Sequence, residues 1–222
     1  MRAPPASSNF SIGHVFRTPL TFILNRIPYV WHMSSGPRIG YMGIPFSNSD
    51  AMARIFSERA GLKDPEFVPL MTARATIDAL ADGTVDYGVF ATENRIAGRV
   101  IETDEALRYM DVEILDRDWL PIHHCVFLKN EGDEVRRIVS HIQALLQSTR
   151  NLRKLYPEAT LLECEDTAYA AEMLAKGELP EGSAALCRRD AGEHYGLFLA
   201  NENVEDDKEN MTRFAFIRLS RK

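Results

Sequence analysis

From residue 36 onward, short apolar runs alternate with amphipathic stretches, and no pattern in the chain narrows its fold more. Runs at 38–44, 67–70, 87–91, 120–128, 137–140, 160–164, 184–187, 197–200 and 213–218 have the length and composition of strands. Between them, Ala51, Met52, Ile55 and Phe56 share one helical face that stops at Gly61, and Ile77, Leu80 and Ala81 share another that stops at Gly83. Ile142, Leu145, Leu146 and Leu152 make a third face, and Ala170, Ala171 and Leu174 a fourth that ends at Gly177. Strands separated by helices predict an α/β fold with mostly parallel sheets.

A chain of 222 residues can bury a substantial core as one large domain or two lobes. There is no low-complexity linker, so a second lobe has to be reached by direct crossing of the chain. The net charge of −6 argues against a nucleic-acid partner, which requires a basic surface. Cys125, Cys164 and Cys187 are far apart and lack any C-x-x-C spacing, which favours free thiols in a reducing compartment. The apolar segment 20–31 contains Arg26 and Pro28 and is too short to span a bilayer.

No Asp or Glu precedes Asp50, whereas Arg2, Arg17, Arg26 and Arg38 do. This start reads either as a plastid-type transit peptide or as an extension ahead of a true start at Met33; the second is favoured. Residues 1–36 are accordingly expected to be disordered or outside the fold, and the location cytoplasmic unless the extension is a transit peptide.

Three predicted helices begin at hydroxyl residues: Ser47 and Ser49 around Asn48, Ser140 before His141, and Thr167 before Ala168. Such residues cap helices, but helix starts at the carboxyl ends of parallel strands also attract anions. Without a glycine-rich phosphate loop, the expected ligand is a small carboxylate. His123-His124-Cys125 offers no metal site, because successive strand residues face opposite ways and no further ligand cluster exists. No G-x-S-x-G marks a nucleophilic serine. Glu93-Asn94-Arg95, at the end of an apolar strand before a turn with Gly98, presents polar groups where a ligand could meet them.

Six short motifs then occur in order: Glu93-Asn94-x-Ile96-Ala97-Gly98, Leu120-Pro121-Ile122-His123-His124-Cys125, Ser140-His141-x-Gln143-Ala144-Leu145-x-Gln147, Asp166-Thr167-Ala168-x-Ala170-Ala171, Tyr195-Gly196-Leu197 and Asn210-x-Thr212-Arg213-Phe214. Over about residues 38–218 the chain resembles the catalytic domain of prephenate dehydratase, and similarly of arogenate dehydratase. The resemblance implies a two-lobed fold like the type II periplasmic binding proteins, with the active site in the interlobe cleft. Lobe 1 is expected at about 37–112 plus 201–222, and lobe 2 at about 113–200. It also implies loss of water and carbon dioxide from prephenate to give phenylpyruvate in phenylalanine biosynthesis, with no cofactor because aromatisation drives the reaction. Thr212 becomes the expected catalytic group. Ser47, Ser49, Glu93, Asn94, Arg95, Ser140, His141, Thr167, Arg213 and Phe214 become the expected substrate-binding residues, with Phe214 on the cleft wall. Arg213 could anchor a carboxylate or tie the lobes together.

Departures from the family pattern leave alternatives open. Arg95 replaces the usual serine and Arg99 a small residue, while Phe46-Ser47-Asn48 stands where the family carries glycine and threonine or alanine before an aromatic; Met52 also stands where a small residue is usual. Arg95 either enters the cleft and alters the substrate or turns to solvent. The other readings are an arogenate dehydratase, a prephenate decarboxylase, or a non-catalytic protein that binds small carboxylates. With only a few residues after Thr212-Arg213-Phe214, the regulatory ACT domain common in the family is not expected. A homodimer is expected by analogy alone.

Overall fold

In the computed structural model, residues 13–14, 36–108 and 110–220 are described. In chain order the first half comprises β1 Gly13–His14, β2 Arg38–Tyr41, α1 Asn48–Arg59, β3 Glu66–Pro69, α2 Ala73–Ala81, β4 Tyr87–Asn94, β5 Gly98–Arg99, α3 Ile101–Leu107 and β6 Val112–Pro121. The second half comprises β7 Cys125–Leu128, β8 Arg137–Ser140, α4 Ile142–Leu155, β9 Thr160–Glu163, α5 Thr167–Lys176, β10 Ser183–Cys187, α6 Arg189–His194, β11 Phe198–Asn201 and β12 Met211–Leu219.

These strands form two sheets. The first has the order β3-β2-β4-β12-β6, with β5 added on β4, and the second β1-β9-β8-β10-β7-β11. Pairing is parallel along β3-β2-β4 and along β1-β9-β8-β10, as expected, whereas β12, β7 and β11 run antiparallel to their neighbours. The chain passes from the first sheet to the second after Pro121 and returns between Asn201 and Met211. The expected lobe boundary at 112–113 is therefore corrected. β6 is an edge strand whose Glu113, Asp116, Arg117 and Asp118 break the apolar signal that marks interior strands. The run at 120–128 divides at Ile122, where the amide turns to the carbonyl of Asn210.

The expectation that residues 1–36 lie outside the fold is corrected at Gly13–His14, which pair with Leu162 and Glu163 at the edge of the second sheet. The rest of that expectation falls almost wholly outside the described residues.

Strand alternation divides the first core into two layers. Phe214 and Phe216 of β12 join Ile39, Tyr41 and Val89 against Met52, Ala53 and Phe56 of α1. Ala215 and Ile217 face the other way with Phe90, against Ile77 and Leu80 of α2. Met52, at the position where a small residue was expected, fills the first layer at 1% exposure. The second sheet is likewise covered on both faces, with Phe127 and Ala185 toward α5 and Leu186 and Ile138 toward α4.

In that second core α6 approaches Phe127 so closely that only glycine fits at position 192. A Cβ there would lie 2.4 Å from two ring carbons of Phe127. Gly192→Ala should cost about 2 kcal/mol by overpacking, read as a lower denaturant midpoint at constant slope.

One irregularity sets up the site. Along β12, Arg213 faces Glu93 but Phe214 faces Ala91, so Thr92 is an extra residue in β4. A bulge of this kind shifts the side-chain parity beyond it. Asn94 is thereby brought to the face of the sheet occupied by Ala91 and Thr212.

Candidate active site

The Asn94 side chain is held at both ends. Its Oδ1 accepts the amides of Ile96 at 3.0 Å and Ala97 at 2.8 Å, closing the turn that follows β4. That fixes which end of the amide is which, so Nδ2 faces β12 and lies 3.0 Å from Thr212 Oγ1, 3.0 Å from Asn210 Oδ1 and 3.2 Å from the Met211 carbonyl. An amide NH2 can only donate, so the Thr212 oxygen accepts and its own hydrogen is left to point elsewhere. Asn210 is 1% exposed, and its Nδ2 has no hydrogen-bond partner among the described residues. Asn210 belongs to the Thr212 motif but not to the expected site residues; its place on the Thr212 face follows from strand alternation alone.

Glu93 and Arg213 face the opposite side of the same strand pair. Their charged groups approach to 4.0 Å, and the Arg213 guanidinium lies 5.9 Å from the Trp119 ring centroid. Arg213 thus meets partners from its own sheet. Phe214, expected on the cleft wall, is 1% exposed inside the first core, because its face of β12 runs under α1 beyond Thr212. Arg95 turns away from the Asn94–Thr212 network to an exposed ion pair with Glu209 at 2.8 Å. Arg99 pairs with Asp104 at 2.8 Å.

The helix starts are capped from within. Ser47 Oγ accepts the Asp50 amide at 3.3 Å, Ser49 is buried in the first turn, and Asp50 Oδ2 accepts the Phe46 amide at 2.9 Å. This differs from a capping box, since Asp50 takes the amide before the cap and not the cap's own, and it places a buried carboxylate where an anionic ligand was expected. Ser140 is fully buried and its hydroxyl donates to the Leu186 carbonyl at 2.5 Å, so it neither caps α4 nor faces a ligand. His141 supplies that cap, its Nδ1 accepting from the Gln143 amide at 3.3 Å. Burial lowers the imidazole's pKa despite the nearby Glu163, in keeping with Nδ1 serving as an acceptor. Thr167 is the first residue of α5, and the cap is Asp166, whose Oδ1 accepts from the Ala168 amide at 2.7 Å.

Burial pushes the Asp166 carboxyl up to about 6, although the amides of Ala168 and Tyr169 favour its ionised form. A carboxyl raised on folding makes the native state the better proton binder between its unfolded value, near 4, and about 6. Stability therefore falls as pH rises through that window. Asp166→Asn keeps a competent cap and removes the buried charge, so it should stabilise the fold at pH 7 by on the order of 2 kcal/mol and have little effect below pH 4. Thermal melts of both proteins at the two pH values check this.

Among the described residues, the lobes meet at the loop before α1 and at the chain crossings. The loop from β2 to α1 brings Ile44 and Phe46 against the second core, with the Phe46 ring 4.0 Å from the His194 ring and Asn48 Oδ1 2.8 Å from Arg188 Nη1. Phe46 adopts φ 66°, a costly conformation for a residue with a large side chain. At the crossings, the buried Glu205 carboxylate accepts the His124 amide at 3.0 Å and lies 3.1 Å from His123 Nδ1 and 3.2 Å from Lys208 Nζ. Next to it, the Asp206 carboxylate accepts the amides of Arg150 and Asn151 in α4, both at 2.8 Å. His124 is buried with Nε2 3.1 Å from Gln147 Oε1, and the three cysteines are free. Among the described residues no helix is long and apolar enough to cross a membrane.

The family model for prephenate dehydratase matches residues 39–222. The chain belongs to that family. Arogenate dehydratase 5 of Arabidopsis thaliana, named as chloroplastic, is 30% identical over 182 residues, which is 81% of this chain and 41% of that protein. This chain thus spans less than half the length of that relative. Among solved structures, a prephenate dehydratase from Arthrobacter aurescens, crystallised with L-Phe, superposes with a TM-score of 0.73 at 22% identity, covering 83% of this chain and 61% of that one. A quorum-quenching acylase, GqqA, superposes with a TM-score of 0.68 at 29% identity, covering 83% of this chain and 65% of that one. Within the matched region, the structure divides Thr212, Arg213 and Phe214 among a polar network, an opposite-face ion pair and the core.

Proposed function

We propose that this chain catalyses decarboxylative dehydration of prephenate or its amino-acid counterpart arogenate. The observation that carries this reading is the bond from Asn94 Nδ2 to Thr212 Oγ1, which makes the threonine an acceptor there and frees its hydrogen for a substrate. The reaction breaks the ring C–O bond and the bond to the ring carboxylate. Electrons from the carboxylate bond enter the ring, the hydroxyl leaves with its own pair, and one proton is taken up to complete water. Thr212 Oγ–H donates to the departing oxygen, and because a threonine hydroxyl is a poor acid, the proton itself comes ultimately from solvent. Positioned hydrogen bonding of this kind typically contributes about 10²–10⁴-fold. Aromatisation supplies the driving force, so the chemistry requires no cofactor. A reducing compartment, cytoplasmic or plastidic, suits three free thiols.

The direct test is incubation of purified protein with prephenate and with arogenate. Phenylpyruvate and phenylalanine respectively are the expected products. Correctly folded protein that turns over neither substrate overturns the reading, and a non-aromatic keto acid identifies a decarboxylase instead.

A further inference from the structure

Thr212 shares its face of β12 with Phe214 and Phe216, whose rings pack against α1 together with Ala91 and Leu120. The Asn94–Thr212 network therefore lies on the α1 side of the first sheet, at the carboxyl end of β4. At the corresponding end of β2, α1 begins with Asn48, whose Oδ1 accepts from Arg188 Nη1 of the second lobe at 2.8 Å. The register of the second sheet brings Arg188 there. Cys187 ends β10 opposite Cys125 at the start of β7, so Arg188 emerges beside the crossing that carries His124. On that crossing the Ile122 amide donates to the Asn210 carbonyl at 2.9 Å, and Leu120 lies opposite Thr212. From Leu120 to His124 the chain spans at most about 13 Å, a gap that a substituted six-membered ring and a long side chain together fill.

The Arg188 side chain is 20% exposed and fixed in orientation. Its Nε and Nη2 donate to the two oxygens of Asp190, both at 3.0 Å, and Nη1 donates to Asn48. These bonds leave one N–H on each terminal nitrogen without a partner among the described residues. By contrast, Arg95 and Arg213 point away from the network, and Arg54 is held by Asp50 at 3.0 Å.

We propose that Arg188 anchors the carboxylate that the substrate keeps, across the ring from the hydroxyl held at Thr212. This rests on the dehydratase reading of the same site. Prephenate and arogenate each carry two carboxylates, and their binding to a chain of net charge −6 requires a cation at the site. A guanidinium fork matches a carboxylate in shape as well as charge. The carboxylate in question is the one on the side chain and not the one on the ring. A cation fixed on the ring carboxylate would stabilise its charged form and oppose departure as carbon dioxide, whereas the side-chain carboxylate is the same in substrate and product. The anchor thus acts alike in the ground and transition states, so it tightens binding and leaves the chemical step to Thr212.

The test compares the unmodified chain with Arg188→Gln and Arg188→Lys. It uses calorimetric binding of phenylpyruvate and of its neutral amide, phenylpyruvamide, with kcat and KM for prephenate and arogenate alongside. Loss of a charged hydrogen bond is expected to weaken phenylpyruvate about 10–100-fold in Arg188→Gln and to raise KM by the same factor. The affinity for the amide and kcat are expected to change less than about threefold. Arg188→Lys keeps the charge but not the fork, so its affinity for phenylpyruvate is expected to fall between the two, and it decides the matter if Arg188→Gln does not fold. Unchanged affinity for phenylpyruvate in a folded variant overturns the inference, as do equal losses for acid and amide, a fall in kcat alone, or failure of the unmodified chain to bind phenylpyruvate. If neither substrate is turned over but phenylpyruvate binding depends on Arg188 as expected, the dehydratase reading fails and the anchor stands. Normal turnover with unmoved KM and product affinity overturns the anchor and leaves the dehydratase reading standing.

Discussion

Thr212→Ala should lower kcat by about 10²–10⁴-fold on whichever substrate the protein prefers, with a much smaller change in KM. Among the described residues the hydroxyl makes one hydrogen bond, from Asn94 Nδ2, and that donor has the Asn210 side chain and the Met211 carbonyl as other acceptors. The fold should therefore survive the substitution, and a circular-dichroism melt close to that of the unmodified chain is the control. Thr212→Ser retains the oxygen and its hydrogen and should recover most of the rate. If Thr212→Ala keeps more than about a tenth of the rate, acid assistance is being supplied by another group.

Glu205→Ala should destabilise the fold more than Gly192→Ala, by about 3 kcal/mol. The carboxylate is 1% exposed and stands between the two segments that cross from sheet to sheet. Its loss leaves the buried His124 amide without an acceptor and releases His123 and Lys208 together. Burial alone would raise this carboxyl's pKa, but the bonds it accepts from the backbone, His123 and Lys208 outweigh burial and hold it below the usual glutamate value. A carboxyl lowered on folding contributes stability that is complete above its unfolded value and is lost as pH falls through the folded one. The gap between the unmodified protein and Glu205→Ala should therefore narrow in acid. Urea titrations at neutral pH and below pH 4 measure that gap, and a constant difference would show that the carboxylate's charge is not involved.

The sequence patterns resolve interior elements well and peripheral ones poorly. Helices α1, α2, α4 and α5 carry enough apolar residues at helical spacing to be found, but α3 and α6 have only seven and six residues, too few for a period to emerge. β6 escapes notice because an edge strand carries charges among its apolar positions. Ser140 and Thr167 resemble the caps of α4 and α5, but His141 and Asp166, one residue away in each case, make the bonds. Of the expected site residues, Thr212 and Asn94 come together. Glu93 and Arg213 pair on the opposite face, Ser140 and Phe214 are internal, and Arg95 is in an exposed ion pair with Glu209. Strand alternation alone separates Arg213 from Thr212 and Glu93 from Asn94, but the register that sets Asn94 on the face of Ala91 escapes sequence, since the extra residue at Thr92 is set by pairing between strands more than a hundred residues apart. Glu205 escapes for another reason: among Glu202, Asp206 and Asp207 it reads as one more charge on a solvated loop.

The central position of β12 has a consequence for synthesis of the chain. β4 and β6 both pair with it and not with each other, yet it follows every other element in sequence. While the chain emerges, 125–201 already contains five strands of the second sheet, whereas the first has a gap one strand wide with an open edge on each side. Open edges of that kind are where chains pair wrongly with one another. The insertion that closes the gap also delivers Asn210 and Thr212 to Asn94. A nascent chain halted before residue 211 would therefore be both prone to aggregate and unable to assemble the polar trio, so competence and solubility arrive in the same late step.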